Sequence, residues 1–385
     1  MVVQCKHINN NTEIMENPKL ALIPSGYKSG TVYSILPTDG VGDFDFSRGS
    51  EATRVRKDGL IETVSNELPR LDWLNSDCPS LLLEPQRTNL VTQSEDLSTT
   101  WLKSGGVTLT SGQISPKGDT SAYKVQMTSG ANNYLYIGGG TNGVEYTISG
   151  YFKADSSINI GFSDGSVSPN SIDLTTDWKR FSFTFTRNGG GLQIDNYFGV
   201  SPSQQAKTFY VWGVQMEQGS YPTSLIKTIG STVTRQKDIC INGGDADLFD
   251  ITEGTFFVDT YTPNSTNSTI ISLSNGTDAQ KVTLLFEAVN SRVRTFSSGG
   301  VLYYDTLSYN QRNKILITFK LNEYKTYING SLVSTDTSAT VPTGMFKLNF
   351  SHNNGTILHF EGKVHDTRVY DRVLTEAEAI ELTTI

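Results

Sequence analysis

Apolar and polar residues alternate along most of the chain beyond residue 100, which is the period of strands buried on one face. In "WKRFSFTFT", Phe181, Phe183 and Phe185 alternate with serine, threonine and arginine. "EYTISGYFKA" at 145–154 and "KTFYVWGVQME" at 207–217 follow the same rule, with glycine-rich clusters between the runs. We therefore predict an antiparallel β-sandwich over residues 91–240.

The pattern restarts near residue 245 with "GTFFVDTY", "KVTLLFEAV" and "KILITFKL". Asn329-Gly330 between two apolar runs predicts a two-residue hairpin turn. Near the end of the chain, Thr375 precedes Glu378 by three residues, which is the capping box of a helix. These signals predict a second sandwich over residues 241–385 that ends in a short helix. The sequence shows no repeat of 20 to 50 residues, which disfavours a propeller or a solenoid.

The first 90 residues lack sustained alternation and are interrupted by proline at positions 24, 37, 69, 79 and 85. A segment of this kind cannot bury a core alone and should lean on a neighbour. The sequence therefore predicts an all-β protein of two tandem antiparallel jelly-roll sandwiches, preceded by an irregular N-terminal region at 1–90.

Composition narrows the classes of partner. The net charge of -8 and the lack of a long basic run disfavour nucleic acid. No apolar run is long enough to insert into a membrane, and the N-terminus has no secretory pattern. The three cysteines, Cys5, Cys78 and Cys240, are odd in number and widely spaced, so we expect neither a disulfide framework nor a zinc site. This pattern favours assembly in a reducing cytosol.

One stretch is unusually charged, with seven acidic or basic side chains from Arg48 to Glu62. Asp58-Gly59 predicts a hairpin there, with Arg54 and Arg56 on its exposed face. Such charges find partners across the strands or on another subunit, so we assign both arginines to assembly. A catalytic alternative would use Asp43, Asp45 or Glu51 as acid and base, but no complete site accompanies them and we predict no catalytic residue.

Three further motifs have weak functional readings. "GGGTNG" at 138–143 matches the dinucleotide pattern, but a strand follows it where phosphate binding needs a helix, so it predicts a turn. "HFEGKVH", with His359, Glu361 and His365, fits no established zinc spacing. "DADLFDITE", with Asp245, Asp247 and Asp250, lacks the full calcium-loop pattern and leaves a bare calcium site open. We predict no cofactor and no metal site.

Aromatic residues offer the other candidate chemistry. Trp101, Trp178 and Trp212 could stack on sugar rings, although a core position is favoured for each of them. The C-terminal sandwich has two polar loops flanked by aromatics, at 260–269 and 301–313.

In the second loop we predict a sugar site. Its residues are Tyr303, Tyr304 and Tyr309 as stacking rings, with Asp305 and Asn310 as hydrogen-bonding groups. The competing interpretation is that alternation simply buries one tyrosine of each adjacent pair.

Longer stretches resemble a known class of proteins. "FSRGSEATRVRKDGLIETVSNELPRLDW", followed by "PSLLLEPQRTNLVTQSEDL" and Trp101, resembles fibre, spike and tail-associated proteins of tailed bacteriophages. "FYVWGVQMEQGSYPTSLIKTIGSTVTR" resembles the end of their carbohydrate-binding-module-like jelly roll. The C-terminal part, through "YINGSLV" and "FEGKVHDTRVYDRVLTEAEAIEL", resembles laminin-G-like or concanavalin-like lectin sandwiches.

The resemblance implies a structural virion fibre, on the head or the tail, made in the cytoplasm of a bacterial host. Residues 1–90 would then be an attachment region for other virion proteins, and the fibre would be a homotrimer. The sandwiches would bind a host-surface glycan that the sequence does not specify. The alternatives are a capsule depolymerase or glycosidase, which needs two carboxylates at a sugar cleft, and a purely architectural decoration protein.

Overall fold

The computed structural model describes residues 18–24, 30–130, 133–164, 170–189, 191–196, 205–249, 251–263, 267–288, 292–297 and 300–385. For residues 170, 296–297 and 300–306 it describes the backbone alone.

Short strands form the first part of the chain: β1 (Leu20–Leu22), β2 (Asp45–Ser47), β3 (Ala52–Val55), β4 (Ile61–Val64), β5 (Arg70–Asp72), β6 (Ser80–Leu83) and β7 (Arg87–Asn89). Longer strands follow: β8 (Leu102–Ser104), β9 (Val107–Gln113), β10 (Ala122–Met127), β11 (Tyr134–Ile137), β12 (Glu145–Lys153), β13 (Ile158–Ser163), β14 (Asn170–Leu174), β15 (Lys179–Thr186), β16 (Leu192–Asp195), β17 (Lys207–Gln218), β18 (Val233–Arg235) and β19 (Ile239–Ile241).

The remaining elements are α1 (Ala246–Phe249), β20 (Gly254–Thr262), β21 (Thr269–Ser274), β22 (Lys281–Glu287), β23 (Arg292–Ser297), β24 (Gly300–Thr306), β25 (Gln311–Lys320), β26 (Glu323–Ile328), β27 (Ser331–Asp336), β28 (Lys347–Asn349), β29 (Gly362–Tyr370) and α2 (Glu376–Thr383). The predicted all-β fold of antiparallel sandwiches is confirmed. No helix in the described ranges is long and apolar enough to cross a membrane.

The chain divides into two compact units. Unit 1 comprises residues 1–50, 64–85 and 237–385, and unit 2 comprises residues 51–63 and 86–236. The chain therefore passes between units at four points. Described strands from the first 90 residues contribute to both units, and the predicted three-part division at 90 and 240 stays a prediction.

Unit 1 is a sandwich of two sheets. One has the order β27-β26-β25-β20-β29-β6-β5, with β1 also paired to β29, and the other has the order β24-β23-β22-β21-β28. Side chains such as Phe256, Ile317 and Leu284 are fully buried in the core of this unit. β1, β5 and β6 come from the proline-interrupted first 90 residues, so a sheet whose other strands begin at residue 254 completes their backbone hydrogen bonding.

Unit 2 is a second sandwich, with sheets β15-β12-β17-β10-β9 and β14-β13-β16-β11-β8. Its core includes Ile148, Phe152 and Phe162, while Phe181 and Phe183 pack against it as the alternation predicts. The hairpin of β3 and β4 adds Ile61 to a smaller cluster that contains Trp212.

The structure confirms three turns that were predicted from short sequence motifs. Asn329 and Gly330 take φ angles of 49° and 83° between β26 and β27, which are the left-handed values that this hairpin turn requires. "GGGTNG" is a turn between β11 and β12. Asp58-Gly59 lies in the hairpin of β3 and β4.

The cysteines depart from expectation. Cys78 is disulfide-bonded, which the odd number and wide spacing of the cysteines did not predict. Cys240 is a free thiol, and burial raises its pKa well above the ordinary value. A disulfide at Cys78 removes the support that the cysteines gave to a reducing environment.

The cap of α2 gives a prediction about pH. Hydrogen bonds from Arg372 lower the pKa of Glu378 from 4.5 to about 2, and the Thr375 backbone N–H, 2.7 Å from Glu378 Oε2, acts in the same direction. The stabilisation is therefore complete above pH 4.5 and is lost as the pH falls through about 2. Glu378→Gln should cost about 1 kcal/mol at pH 7, with a difference from the parent that shrinks at low pH.

Thermal unfolding at several pH values measures this dependence. Glu376→Gln is the matched control, because Glu376 is an exposed carboxylate in the same first turn of α2. An equal loss of stability in Glu378→Gln at pH 7 and at pH 2 would contradict the assignment.

Candidate functional site

The predicted sugar site in the C-terminal sandwich lies on β24 and the turn that follows it. Tyr303, Tyr304 and Asp305 are consecutive residues of this edge strand, and their backbones pair with residues 293–295 of β23. Their side chains lie outside the described atoms, so the site itself stays a prediction.

Tyr309 and Asn310 are described in full. Tyr309 is half-buried against the unit 1 core, and its hydroxyl donates to the Arg292 carbonyl at 3.4 Å. Burial raises the pKa of Tyr309 to about 12. Asn310 is exposed at a left-handed φ of 59°, and its backbone N–H donates to the Thr262 carbonyl. Tyr309 thus has a packing role, whereas the Asn310 side chain is accessible.

Arg54 finds its partner across the hairpin of β3 and β4, where its Nε donates to Glu62 Oε1 at 2.6 Å. Arg56 pairs with Asp58 in the turn, and its Nε lies 3.9 Å from Glu62 Oε2 on the facing strand. Cross-strand pairing was one of the two predicted outcomes for these charges. Their assignment to assembly stays a prediction.

The neighbouring Arg48 has a different role, in a buried ion-pair cluster of unit 1. Its Nη1 atom lies 3.0 Å from Asp238 Oδ1, and both side chains are fully buried. Arg70 binds the other oxygen of the same carboxylate and also pairs with Glu84 at 2.7 Å. The Glu84 backbone N–H donates to Asp238 Oδ2 at 2.8 Å.

Backbone groups complete this buried cluster. Arg48 donates from Nε to the Ser50 carbonyl at 2.8 Å and from Nη2 to the Ser65 carbonyl at 2.6 Å. Burial of charge is costly unless partners replace water, and here each of the four charged groups has them. Of the charged segment at 48–62, Arg48 alone belongs to this buried cluster. The sequence did not predict this cluster, although charged residues within or next to short apolar strands could have indicated buried ion pairs.

The acidic residues of the catalytic alternative also have structural partners. Asp43 Oδ1 accepts from the Ser34 backbone N–H at 2.9 Å, and Asp45 Oδ2 accepts from the Asn242 side chain at 2.8 Å. Glu51 is exposed.

Another pair of carboxylates meets on the eight-stranded sheet. Asp259 on β20 is directly opposite Asp366 on β29. Arg312 binds Asp259 through two nitrogens, and Arg368 binds Asp366 in the same way. Burial raises the pKa of Asp366. With both carboxylates occupied by guanidinium groups, the pair resembles a structural charge ladder more than the open acid and base of a glycosidase.

The metal motifs bring no ligand cluster together within the described ranges, where no three His, Cys, Asp or Glu side chains are grouped for an ion. His359 is half-buried, and its pKa is lowered by burial and by Lys237. Asp245 Oδ1 accepts from the Leu248 backbone N–H at the start of α1. Asp250 lies outside the described residues.

The most promising candidate surface is on unit 2. Alternation turns Lys153, Tyr210 and Lys124 to the outer side of the sheet that contains β12, β17 and β10, away from the core residues Phe152, Phe209 and Val125. Their backbones pair directly, Lys153 with Tyr210 and Tyr210 with Lys124. Trp178 precedes β15 in the same sheet. We call Lys124, Lys153, Trp178 and Tyr210 the aromatic-lysine face.

Cations lie close to the rings of this face. Lys153 Nζ is 5.4 Å from the Trp178 ring centroid and 5.2 Å from that of Tyr210. Lys124 Nζ is 5.9 Å from the Tyr210 centroid. The Tyr210 hydroxyl donates to Asp155 at 3.3 Å, and burial raises its pKa. Rings, ammonium groups and a carboxylate together can stack on a sugar and hydrogen-bond its hydroxyls.

The three tryptophans of unit 2 separate into two roles. Trp101 and Trp212 are buried, and their indole N–H groups donate to the Gln93 carbonyl and to Ser121 Oγ. The core interpretation is confirmed for these two. Trp178 is half-buried and packs against the small cluster that contains Trp212, and its buried indole N–H has no acceptor among the described residues.

One part of the chain, in its C-terminal third, matches a known family model. Residues 249–379 match the family model described as the concanavalin A-like lectin/glucanases superfamily. This match covers most of the predicted C-terminal sandwich. A search of curated proteins found no match.

Solved structures give weak likenesses. A carbohydrate-binding module of the Ruminococcus gnavus IT-sialidase, bound to α2,3-sialyllactose, is 20% identical over 38% of this chain and 94% of its own, with a TM-score of 0.31. Domain 4 of the Geobacillus stearothermophilus arabinanase AbnA, with arabinotriose, is 16% identical over 38% and 73%, at 0.32. Trypanosoma rangeli sialidase is 14% identical over 37% and 26%, at 0.30. TM-scores this low assign no function.

Proposed function

We propose that the protein is a non-enzymatic structural fibre protein of a tailed bacteriophage, on the capsid or the tail, that binds a glycan of the host surface. The observation that carries the binding role is the aromatic-lysine face of unit 2, where partly buried rings and ammonium groups lie together on the outer side of a sheet. The lectin-family match at residues 249–379 supports the same role.

The fibre role is supported by the sequence resemblance of the segment that begins "FSRGSEATR". The contacts of Arg48 agree with a scaffold, since its guanidinium is buried against Asp238 and backbone carbonyls and cannot reach a substrate. The proposed partners are other virion proteins and two further copies of this chain in a homotrimer, and the proposed location is the virion. Light scattering that gave a stable monomer would overturn the trimer.

The binding role predicts a specific loss. Trp178→Ala combined with Tyr210→Ala should weaken adsorption of the full chain to host-surface glycan by about tenfold or more, because each ring contributes roughly 0.5–1.5 kcal/mol of stacking. Glycan-array and host-cell adsorption measurements check this. Phe346→Ala is the control, since it removes an exposed ring from unit 1.

A second double variant, Tyr304→Ala with Tyr309→Ala, tests the predicted loop site. Loss of binding only in this variant, with the fold intact, would move the site to unit 1. A parent protein that adsorbs to no glycan would favour the architectural decoration protein. Release of reducing ends from host polysaccharide would replace the proposal with a depolymerase.

A further inference from the structure

We propose that the ligand of the aromatic-lysine face is an acidic polysaccharide, recognised through the carboxylates of its uronic or sialic acid residues. This inference rests on the proposed glycan-binding function and adds the chemical class of the ligand. It follows from two observations: aromatic rings hold the lysine ammonium groups of this face, and no described carboxylate forms a salt bridge with them.

Three adjacent strands fix the arrangement. Lys153 on β12 and Lys124 on β10 are the direct cross-strand neighbours of Tyr210 on β17. Directly opposed residues of antiparallel strands have Cβ atoms about 4.5–5.5 Å apart, so the two ammonium groups flank one ring. The Lys153 ammonium also lies over Trp178. Rings on a sheet therefore hold both cations in place.

Neither lysine forms a salt bridge with a described residue, although the Asp155 carboxylate accepts a hydrogen bond from the Tyr210 hydroxyl nearby. No described carboxylate oxygen forms a salt bridge with Lys124 or Lys153, whereas Lys117 and Lys227 each have one. Interaction with a ring face holds an ammonium group without cancelling its charge. Both ammonium groups lie beside the Tyr210 ring, and a carboxylate placed next to either of them would supply the opposite charge that the ring does not.

A third cation extends the surface. Arg180 on β15 lies over the Tyr151 ring, with its guanidinium carbon 5.5 Å from the centroid. Its Nη2 donates to Ser149 Oγ at 2.9 Å, and its Nε has no partner among the described residues. Because Tyr151 is two residues before Lys153 on β12, the cations recur along the strand. Recurring cations match a polymer with repeated carboxylates better than a single small anion.

The protein as a whole argues against nucleic acid as this anion. Its net charge is -8, and nucleic-acid binders present a strong positive field because phosphates are densely spaced. A local cluster of cations on an acidic protein suits a polymer of lower charge density, whose sugar rings also contact the aromatic side chains.

The test uses the full chain with two acidic polymers, polygalacturonate and polysialic acid, each paired with its carboxyl-reduced form. The parent should bind an acidic polymer at least about tenfold more tightly than the same polymer without carboxylates, with affinity that falls as salt is added. Lys124→Met with Lys153→Met should remove most of this preference while keeping the apolar stems of both side chains.

The matched control is Lys57→Met with Lys103→Met. Both residues are exposed in unit 2, and the variant changes the net charge by the same amount. Binding should stay within about twofold of the parent, and unfolding temperatures should show that both variants are folded.

Each contrary outcome has a distinct meaning. Equal binding of acidic and reduced polymers overturns the inference and leaves the proposed glycan function standing. Equal loss in both lysine variants reduces the effect to net charge and also overturns it. Tighter binding of duplex DNA would assign the face to nucleic acid. Failure to bind any polymer, with no glycan-array signal, would overturn the proposed function itself.

Discussion

Replacing Asp238 with asparagine is expected to lower the free energy of unfolding of unit 1 by about 3–5 kcal/mol. The Asp238 carboxylate is fully buried and binds both Arg48 and Arg70. Its removal leaves two buried guanidinium groups with Glu84 as their remaining acidic partner in this cluster. Uncompensated buried charge is among the most costly changes in a protein interior.

Asp371→Asn is the matched control in unit 1. It breaks the ion pair of Asp371 with Lys19, in which both side chains are 43% exposed, and such pairs contribute about 0–1 kcal/mol. Three of the four tryptophans belong to unit 2, so unfolding of unit 1 is best followed by amide hydrogen exchange on β29. Equal losses in the two variants would show that burial of the cluster is not what stabilises unit 1.

The position of the cluster explains why unit 1 needs it. The segments of unit 1 end or begin at residues 50, 64, 85 and 237. Arg48, Glu84 and Asp238 lie within two residues of three of these points, and the Ser65 carbonyl lies beside the fourth. The chain leaves and re-enters unit 1 twice, and this one buried cluster holds the chain at all four of these positions.

Glu217→Ala is expected to destabilise unit 2 by about 3 kcal/mol, because it leaves several buried donors without an acceptor. The Glu217 carboxylate accepts from Gln215 Nε2 at 2.6 Å, from the Thr223 backbone N–H at 2.7 Å and from Thr223 Oγ1 at 2.6 Å. Gln215 in turn accepts from the Ile226 backbone N–H at 2.7 Å. Together they hold the segment that follows β17.

Glu145→Ala is the control for this variant, since Glu145 is an exposed carboxylate in the neighbouring strand β12. Its effect should stay within about 0.5 kcal/mol. Tryptophan fluorescence during urea unfolding measures both variants, because Trp212 lies in β17 itself. A parent-like midpoint for Glu217→Ala would show that water replaces the lost acceptor.

The stretch "VWGVQMEQGSYPTSLI" contains the residues of this hydrogen-bond network. Gln215, Glu217 and Thr223 of this stretch are buried and hydrogen-bonded to each other or to nearby backbone. Asn89 of β7 belongs to the same hydrogen-bond network, because its side chain donates to the Ile226 carbonyl at 2.8 Å. This segment therefore has a structural role, and the candidate ligand groups lie elsewhere in unit 2.

The sequence by itself determined the local structure of this protein. Alternation identified β12, β15, β17, β20, β22 and β25, because a strand with one face in a core must place apolar side chains at every second residue. Asn329-Gly330 and the pair of Thr375 and Glu378 were equally readable, since a turn or a helix cap depends on a few adjacent residues.

Only the tertiary structure decided which distant residues meet. Arg48 pairs with Asp238 across 190 positions, and β1 and β6 join a sheet formed mainly by the last third of the chain. The row of Lys153, Tyr210 and Lys124 depends on the registers of three strands, and a shift of one residue would turn each side chain to the other face. Alternation fixes which side of a strand is polar, but register and strand order, which arise from packing of the whole core, decide which polar groups become neighbours.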